Sequence, residues 1–129
     1  EYILLFEVLL FSADCVNSIV IENLDSILKK NKEAYFKCLD EILDLPISIY
    51  NRDKSIKSFK HKKYNFSELK VKYKNNEYRF FFIIESPKVI VVYGFTKKTQ
   101  KTEKRDIENG VTQLELYLKS KITIPFDKR

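Results

Sequence analysis

Leu69-Lys70-Val71-Lys72-Tyr73-Lys74 alternates strictly between apolar and cationic residues, and the fold turns on how it is read. A period of two sets the apolar side chains on one face of a strand and the lysines on the other. Asn75-Asn76 follows, a pair that tolerates positive φ and predicts a two-residue turn. Glu77 to Glu85 returns as a strand apolar enough to be central in its sheet. Ser86-Pro87 turns the chain again, and Lys88 to Phe95 forms the next strand. The expected result is a three-stranded antiparallel meander.

Register follows from the turns. With Asn75-Asn76 as the loop, Lys74 meets Glu77, Lys72 meets Arg79 and Lys70 meets Phe81. With Ser86-Pro87 as the next loop, Arg79 meets Gly94. Parity then places Leu69, Val71, Tyr73, Phe80, Phe82, Ile84, Val89, Val91, Tyr93 and Phe95 on a face for helices to cover. Lys70, Lys72, Arg79, Phe81, Gly94 and Thr96 fall on the other. Like charges at Lys72 and Arg79 repel unless an anion sits between them, and Gly94 leaves a notch where a phosphate can approach. Past the strand end, Gly94-Phe95-Thr96-Lys97-Lys98-Thr99-Gln100-Lys101-Thr102 releases further cations beside that notch. Cations held this way suit stabilisation of charge on a phosphoryl group.

Toward the N-terminus, Tyr2 to Phe11 reads as a buried strand. It has a signal-like apolar run, but it lacks a basic start, carries Glu7 in its middle, and is too short to span a membrane. Ser12 or Asp14 can cap a helix over 16–30 with Ile19, Val20, Leu24, Ile27 and Leu28 as its stripe. Asn31 interrupts the pattern. A second helix over 32–45 lines up Tyr35, Phe36, Leu39, Ile42 and Leu43, and Pro46 ends it. Short-linked helices of this kind pack as an antiparallel hairpin. Residues 51–65 carry Arg52, Lys54, Lys57, Lys60, Lys62 and Lys63 and read as an exposed, mobile basic loop. A last helix over 103–120 is spaced by Ile107, Val111, Leu114 and Leu118, despite Gly110, and a tail follows from about 121.

The composition bounds the class. One domain over all 129 residues fits the length, and 44% hydrophobic residues with only 2 Gly and 3 Pro argue for a core. Met is absent, at position 1 included, which suggests that a native start residue precedes the numbered chain. The net charge of +6 is unevenly spread: residues 1–51 hold 9 acidic and 4 basic side chains, residues 52–105 hold 5 and 16. That concentration suits a surface that meets polyanions, although lysines also solvate exposed strand faces. Cys15, Cys38 and the lone His61 have no ligand spacing, so a structural zinc site is excluded and the thiols read as reduced core residues of a cytoplasmic protein.

Four runs carry a family resemblance: Phe66-Ser67-Glu68-Leu69-Lys70, Tyr78-Arg79-Phe80, the segment from Gly94 to Thr102, and Asp106-Ile107-Glu108. Residues 66–120 resemble the phage-derived, HigB-like branch of the RelE toxin superfamily. The branch pattern is an E-L-R strand, a Y-R strand, a G-F-x-K-K-T-x-K-T segment and an acidic E-I helix start. The strand and helical hairpin before residue 66 match only in order and size.

The resemblance implies a RelE-like α/β (α+β) domain: an N-terminal strand and helical hairpin, a meander completing a small twisted sheet, and a C-terminal helix. It implies a type II toxin that cuts mRNA on the ribosome, without metal or cofactor, by attack of the ribose 2′-OH on the adjacent phosphate. It also implies a co-expressed antitoxin, expected to be a helix-turn-helix protein.

By position, Arg79 would bind the scissile phosphate, Lys70 and Lys72 would be the basic residues of the preceding strand, and Lys97 or Lys98 would supply the strand-end cation. Lys101, Thr99, Gly94, Lys62 and Lys63 would contact RNA, with Phe81 stacking on a base. Lys70 stands where the branch commonly has Arg, and Glu103 replaces its usual proline. No histidine lies in the motif, which leaves His61 as a candidate general base. Two other readings remain open: a catalytically silent RNA- or DNA-binding module, and a protein docking an acidic partner.

Overall fold

Pairing along residues 56–97 builds four antiparallel strands, one more than the alternation alone predicts. The computed structural model describes residues 7–11, 19–97 and 102–126, and for residues 7–11 and 125 the backbone alone. In chain order these are β1 (Glu7–Phe11), α1 (Ile19–Lys30), α2 (Lys32–Leu43), α3 (Leu45–Tyr50), β2 (Ile56–His61), β3 (Tyr64–Tyr73), β4 (Asn76–Glu85), β5 (Lys88–Lys97), α4 (Lys104–Ser120) and β6 (Thr123–Pro125). The strands form a six-stranded sheet in the order β2-β3-β4-β5-β1-β6. β1 runs parallel to β5, and β6 closes antiparallel on β1. The expected α+β class holds. No described helix is long and apolar enough to cross a membrane.

The β3–β4 register differs from the expected one by two residues. Tyr73 pairs with Asn76, so the loop is Lys74-Asn75, with Lys74 at φ 54°. Lys72 therefore meets Glu77, and Lys70 meets Arg79. Each register holds one Lys–Glu and one Lys–Arg pair, so cross-strand charge does not choose between them; in this one Arg79, opposite Lys70, is compensated by Glu68 and Glu77. A shift of two preserves parity, so Leu69 and Val71 still share a face with Phe80 and Tyr78.

The β4–β5 pairing begins as expected, with Glu85 opposite Lys88, but a bulge falls at Phe81/Phe82. Phe82 pairs with Val91 and Phe81 with Tyr93, leaving Val92 as the extra residue. Every side chain of β5 beyond the bulge changes face. Tyr93, Phe95 and Lys97 join Phe81 and Arg79, while Gly94 lies opposite Phe80 on the other side. The expected Arg79–Gly94 pair and the placement of Tyr93 and Phe95 are thereby corrected.

Both faces of the sheet are covered. Val20, Leu24, Ile27, Leu39 and Ile42 of α1 and α2 are buried with Leu69, Val71, Phe80 and Phe82. On the opposite face Val111, Leu114 and Tyr117 of α4 are buried with Phe81, Ile90, Val92, Tyr93 and Phe95. Gly110 permits this approach: a Cβ there would lie 2.2 Å from the Phe81 ring. Tyr117 rather than Leu118 is the inward residue, because its hydroxyl donates to Glu85 at 2.6 Å while Leu118 is exposed.

Local corrections have simple causes. Asn31 caps α2, its side chain accepting from the Ala34 N–H at 3.0 Å. Pro46 sits in the first turn of α3, where a missing N–H costs nothing, so it starts a helix rather than ending one. Phe36 is exposed, and Ala34 and Cys38 take inner positions of α2; Ile84, expected under the helices, is exposed near the end of β4. The segment 51–65 is not a mobile loop: it ends α3, forms β2 and enters β3. Its lysines decorate an edge strand, where charge discourages pairing with other sheets. The tail contributes β6. The expected capping role of Ser12 or Asp14, and Cys15, lie outside the described residues.

Candidate functional site

The polar residues expected to form a site sit on the α4 face, at the end of the sheet where β5 stops and α4 begins. Across three strands this face carries Lys72, Glu77 and Lys97 in one row and Lys70, Arg79 and Phe95 in the next. Glu68 follows, opposite Phe81.

Arg79 is not the open cation that its position suggested. It is buried, and its guanidinium donates to Glu68 Oε1 at 2.8 Å, to Glu77 Oε1 and to Thr102 Oγ1 at 3.1 Å. Thr102 in turn donates to Glu68 Oε2 at 2.7 Å. Two carboxylates thus surround one guanidinium, so buried charge is compensated rather than left for a ligand. Burial pushes the Glu77 carboxyl up, but the hydrogen bond and charge of Arg79, with the charges of Lys70 and Lys72, bring it below the ordinary glutamate value.

Lys97 differs. It is buried, and its Nζ has no hydrogen-bond partner among the described residues. Its cross-strand neighbour is Glu77, yet its charge acts on Asp106, in the first turn of α4. Asp106 is buried, and desolvation raises its carboxyl above the ordinary aspartate value, against the pull of Arg105 and Lys97.

An open groove of about 500 Å³ borders this cluster, lined by His61, Thr102, Glu103, Lys104 and Ile107. β2 brings His61 there, on the strand face it shares with Phe59. Lys62 and Lys63 form the adjoining β2–β3 turn and are exposed, with Lys62 at φ 56° and the Lys63 ammonium 5.5 Å from the Tyr64 ring centre. Among the described residues no three His, Cys, Asp or Glu side chains gather to hold a metal ion.

Of the expected residues, the fold brings Lys70, Lys72, Arg79 and Lys97 to one face. Gly94 is not among them. A Cβ there would lie 2.9 Å from Asn23 Oδ1 and 3.0 Å from Phe80, so this glycine lets α1 approach the sheet and makes no phosphate notch. Phe81 is fully buried between Phe66, Tyr93 and Phe95, with ring centres 4.9–5.8 Å away, and has no free face for a base. Lys98, Thr99 and Lys101 lie outside the described residues.

The residues missed from sequence are Glu68, Glu77, Thr102 and Asp106. A signal existed for the first two: they are the only acidic side chains between Asp53 and Glu85, in a stretch crowded with lysines. An acid surviving there marks a partner for a buried cation.

Residues 22–115 match the family model described as Phage derived protein Gp49-like (DUF891). No curated protein and no solved structure matches the chain. The match runs from α1 to the middle of α4 and so includes Lys70, Lys72, Arg79, Lys97 and Asp106. The chain belongs to the phage-derived Gp49-like family, a toxin-like family of the RelE/toxin-like superfamily.

Proposed function

We propose that this protein is the toxin of a type II toxin–antitoxin pair, an mRNA endoribonuclease of the HigB-like branch with a RelE-like fold. It acts in the cytoplasm on ribosome-associated mRNA and is held inactive by a co-expressed helix-turn-helix antitoxin. Attack of the ribose 2′-OH on the neighbouring phosphate is the chemistry, and the reading calls on no metal or cofactor. Family membership supports the toxin assignment. The observation that carries the site is Lys97, a buried ammonium with no hydrogen-bond partner among the described residues. Such a group is stabilised by an arriving anion.

The geometry redistributes the roles. Lys97 and the more accessible Lys70 and Lys72 contact the scissile phosphate, with Lys98, Lys101 and Thr99 adjoining them in sequence. Arg79 aligns the carboxylates and Thr102 instead, since a phosphate would have to displace Glu68 or Glu77 to reach it. Lys62 and Lys63 extend the cationic surface along the RNA backbone, giving salt-sensitive affinity.

That same compensation of Arg79 favours a second reading, a basic RNA- or DNA-binding module without catalysis. One experiment separates them. The protein is induced without partner, and growth, mRNA integrity and RNA binding are compared with Lys97→Met and Lys72→Ala. Growth arrest with discrete mRNA cuts, lost in Lys97→Met, supports the nuclease. Intact mRNA with RNA binding that falls in both variants supports the silent module. Neither cuts nor RNA binding removes both.

A further inference from the structure

Resting on the nuclease reading, and specifying how its substrate is held, we propose that the groove between β2 and the start of α4 seats one base of single-stranded RNA. Glu103 reads that base as guanine. The groove holds about 500 Å³ and is lined by His61, Thr102, Glu103, Lys104 and Ile107. A nucleobase, flat and smaller than this volume, enters it without displacing any part of the fold.

The lining suits a base better than a phosphate. Its charges cancel, Glu103 against Lys104, while the cations stand to either side. Lys62 and Lys63 follow His61 in the β2–β3 turn and are exposed. On the other side Thr102 is bonded to Glu68 and Arg79, and Arg79 lies opposite Lys70. An RNA backbone that follows both sets of lysines passes the mouth of the groove, and its base turns inward. Two walls receive that base. His61 is half-buried and offers an imidazole face for stacking. Ile107 packs against the buried cluster that contains Phe66 and Phe81, and gives the groove an apolar floor.

Glu103 supplies the recognition. Its carbonyl accepts from the Asp106 and Ile107 N–H groups at 3.0 and 3.1 Å, which fixes the backbone at the head of α4. Its side chain is exposed and makes no cap bond to that helix. A carboxylate presents two acceptor oxygens and no donor. Guanine alone among the four bases carries two adjacent donors on its Watson–Crick edge, N1–H and the 2-amino group. Adenine and cytosine set an acceptor beside their amino group, and uracil flanks its one N–H with carbonyls, so each brings a lone pair against the carboxylate. Lys104 is held only loosely, 4.0 Å from Glu108 with most of its side chain in solvent, and is free to donate to guanine O6.

The test is fluorescence anisotropy with labelled 2′-O-methyl oligouridine hexamers, which bind but cannot be cut by 2′-OH attack. Each carries a single internal guanosine, inosine, adenosine or cytidine. Wild type should prefer guanosine over adenosine and cytidine by at least about fivefold, with inosine, which lacks the 2-amino group, between them. Glu103→Gln changes an exposed side chain, should melt like wild type, and should abolish the preference. His61→Ala should weaken all four hexamers together, by about fivefold or more, through loss of stacking. Equal wild-type affinities, a preference that survives Glu103→Gln, or a Glu103→Gln protein that only binds every hexamer more tightly would overturn the base seat. Those results leave the nuclease reading to its own measurement of mRNA cuts. A wild-type protein that binds none of the hexamers, even at low salt, overturns the RNA-contacting surface and the base seat together.

Discussion

Arg79 and Glu68 form a buried ion pair, 2.8 Å from guanidinium nitrogen to carboxylate oxygen, on the face of the sheet that α4 covers. The pair changes what a substitution of Arg79 reports. Removing one partner strands a charge in the interior, which costs about 3–5 kcal/mol. Arg79→Ala should therefore lower the urea-unfolding free energy by that amount, whereas exposed Lys72→Ala should change it by less than about 0.5 kcal/mol. Loss of toxicity in Arg79→Ala then reflects stability. An Arg79→Ala protein that unfolds like wild type would contradict the buried network.

Gly110 and Phe81 set the approach of α4. Alanine is a better helix former than glycine by about 1 kcal/mol, so an unpacked helix would gain from Gly110→Ala. Here the new Cβ would lie 2.2 Å from Phe81 Cδ2, and the ring is buried among other aromatics. The expected outcome is a net loss of about 1–3 kcal/mol. Phe81→Leu should recover part of it in a double-mutant cycle, the interaction term appearing only if the two residues touch.

Much of this arrangement was readable in advance, and the failures have definite causes. The alternation in β3 exposed its two faces, and the Ser86-Pro87 turn located the β4–β5 hairpin. The bulge was hidden because Val89 to Tyr93 is apolar at every position, so no period marks the extra residue at Val92. That single residue moved Lys97 beside α4 and took Gly94 away from Arg79. β2 was hidden for another reason: only Ile56 and Phe59 in it are apolar, and it is a strand because β3 supplies its partners. The cations of the site were legible as residues. Their carboxylate partners were not, because Glu68 and Arg79 meet only once the register is known.

Glu77 and Asp106 should give opposite pH dependences. The folded Glu77 carboxyl lies below its ordinary value, so its contribution is complete above the unfolded value and lost as pH falls through the folded one. Glu77→Gln should cost about 1.5–3 kcal/mol at neutral pH, a gap that closes on acidification. The folded Asp106 carboxyl lies above its ordinary value, so its ionised form opposes folding. Asp106→Asn should be slightly stabilising at neutral pH, with that gain also vanishing in acid. Urea melts of the three proteins across the acid range check both signs, and equal signs would refute the assigned environments.

Cys38 tests the helical side of the sheet. Its residue is fully buried in α2, and burial, with the nearby Glu41 charge, pushes the thiol up to about 12. The thiolate is the reactive form, so a native Cys38 should resist a disulfide reagent at neutral pH and react only through unfolding. Cys15→Ser leaves Cys38 as the sole thiol. In that variant, labelling should be slow without denaturant, should accelerate with urea in step with the unfolding transition, and should reach one equivalent. Prompt labelling of the folded protein would mean that α2 does not bury this thiol against the sheet.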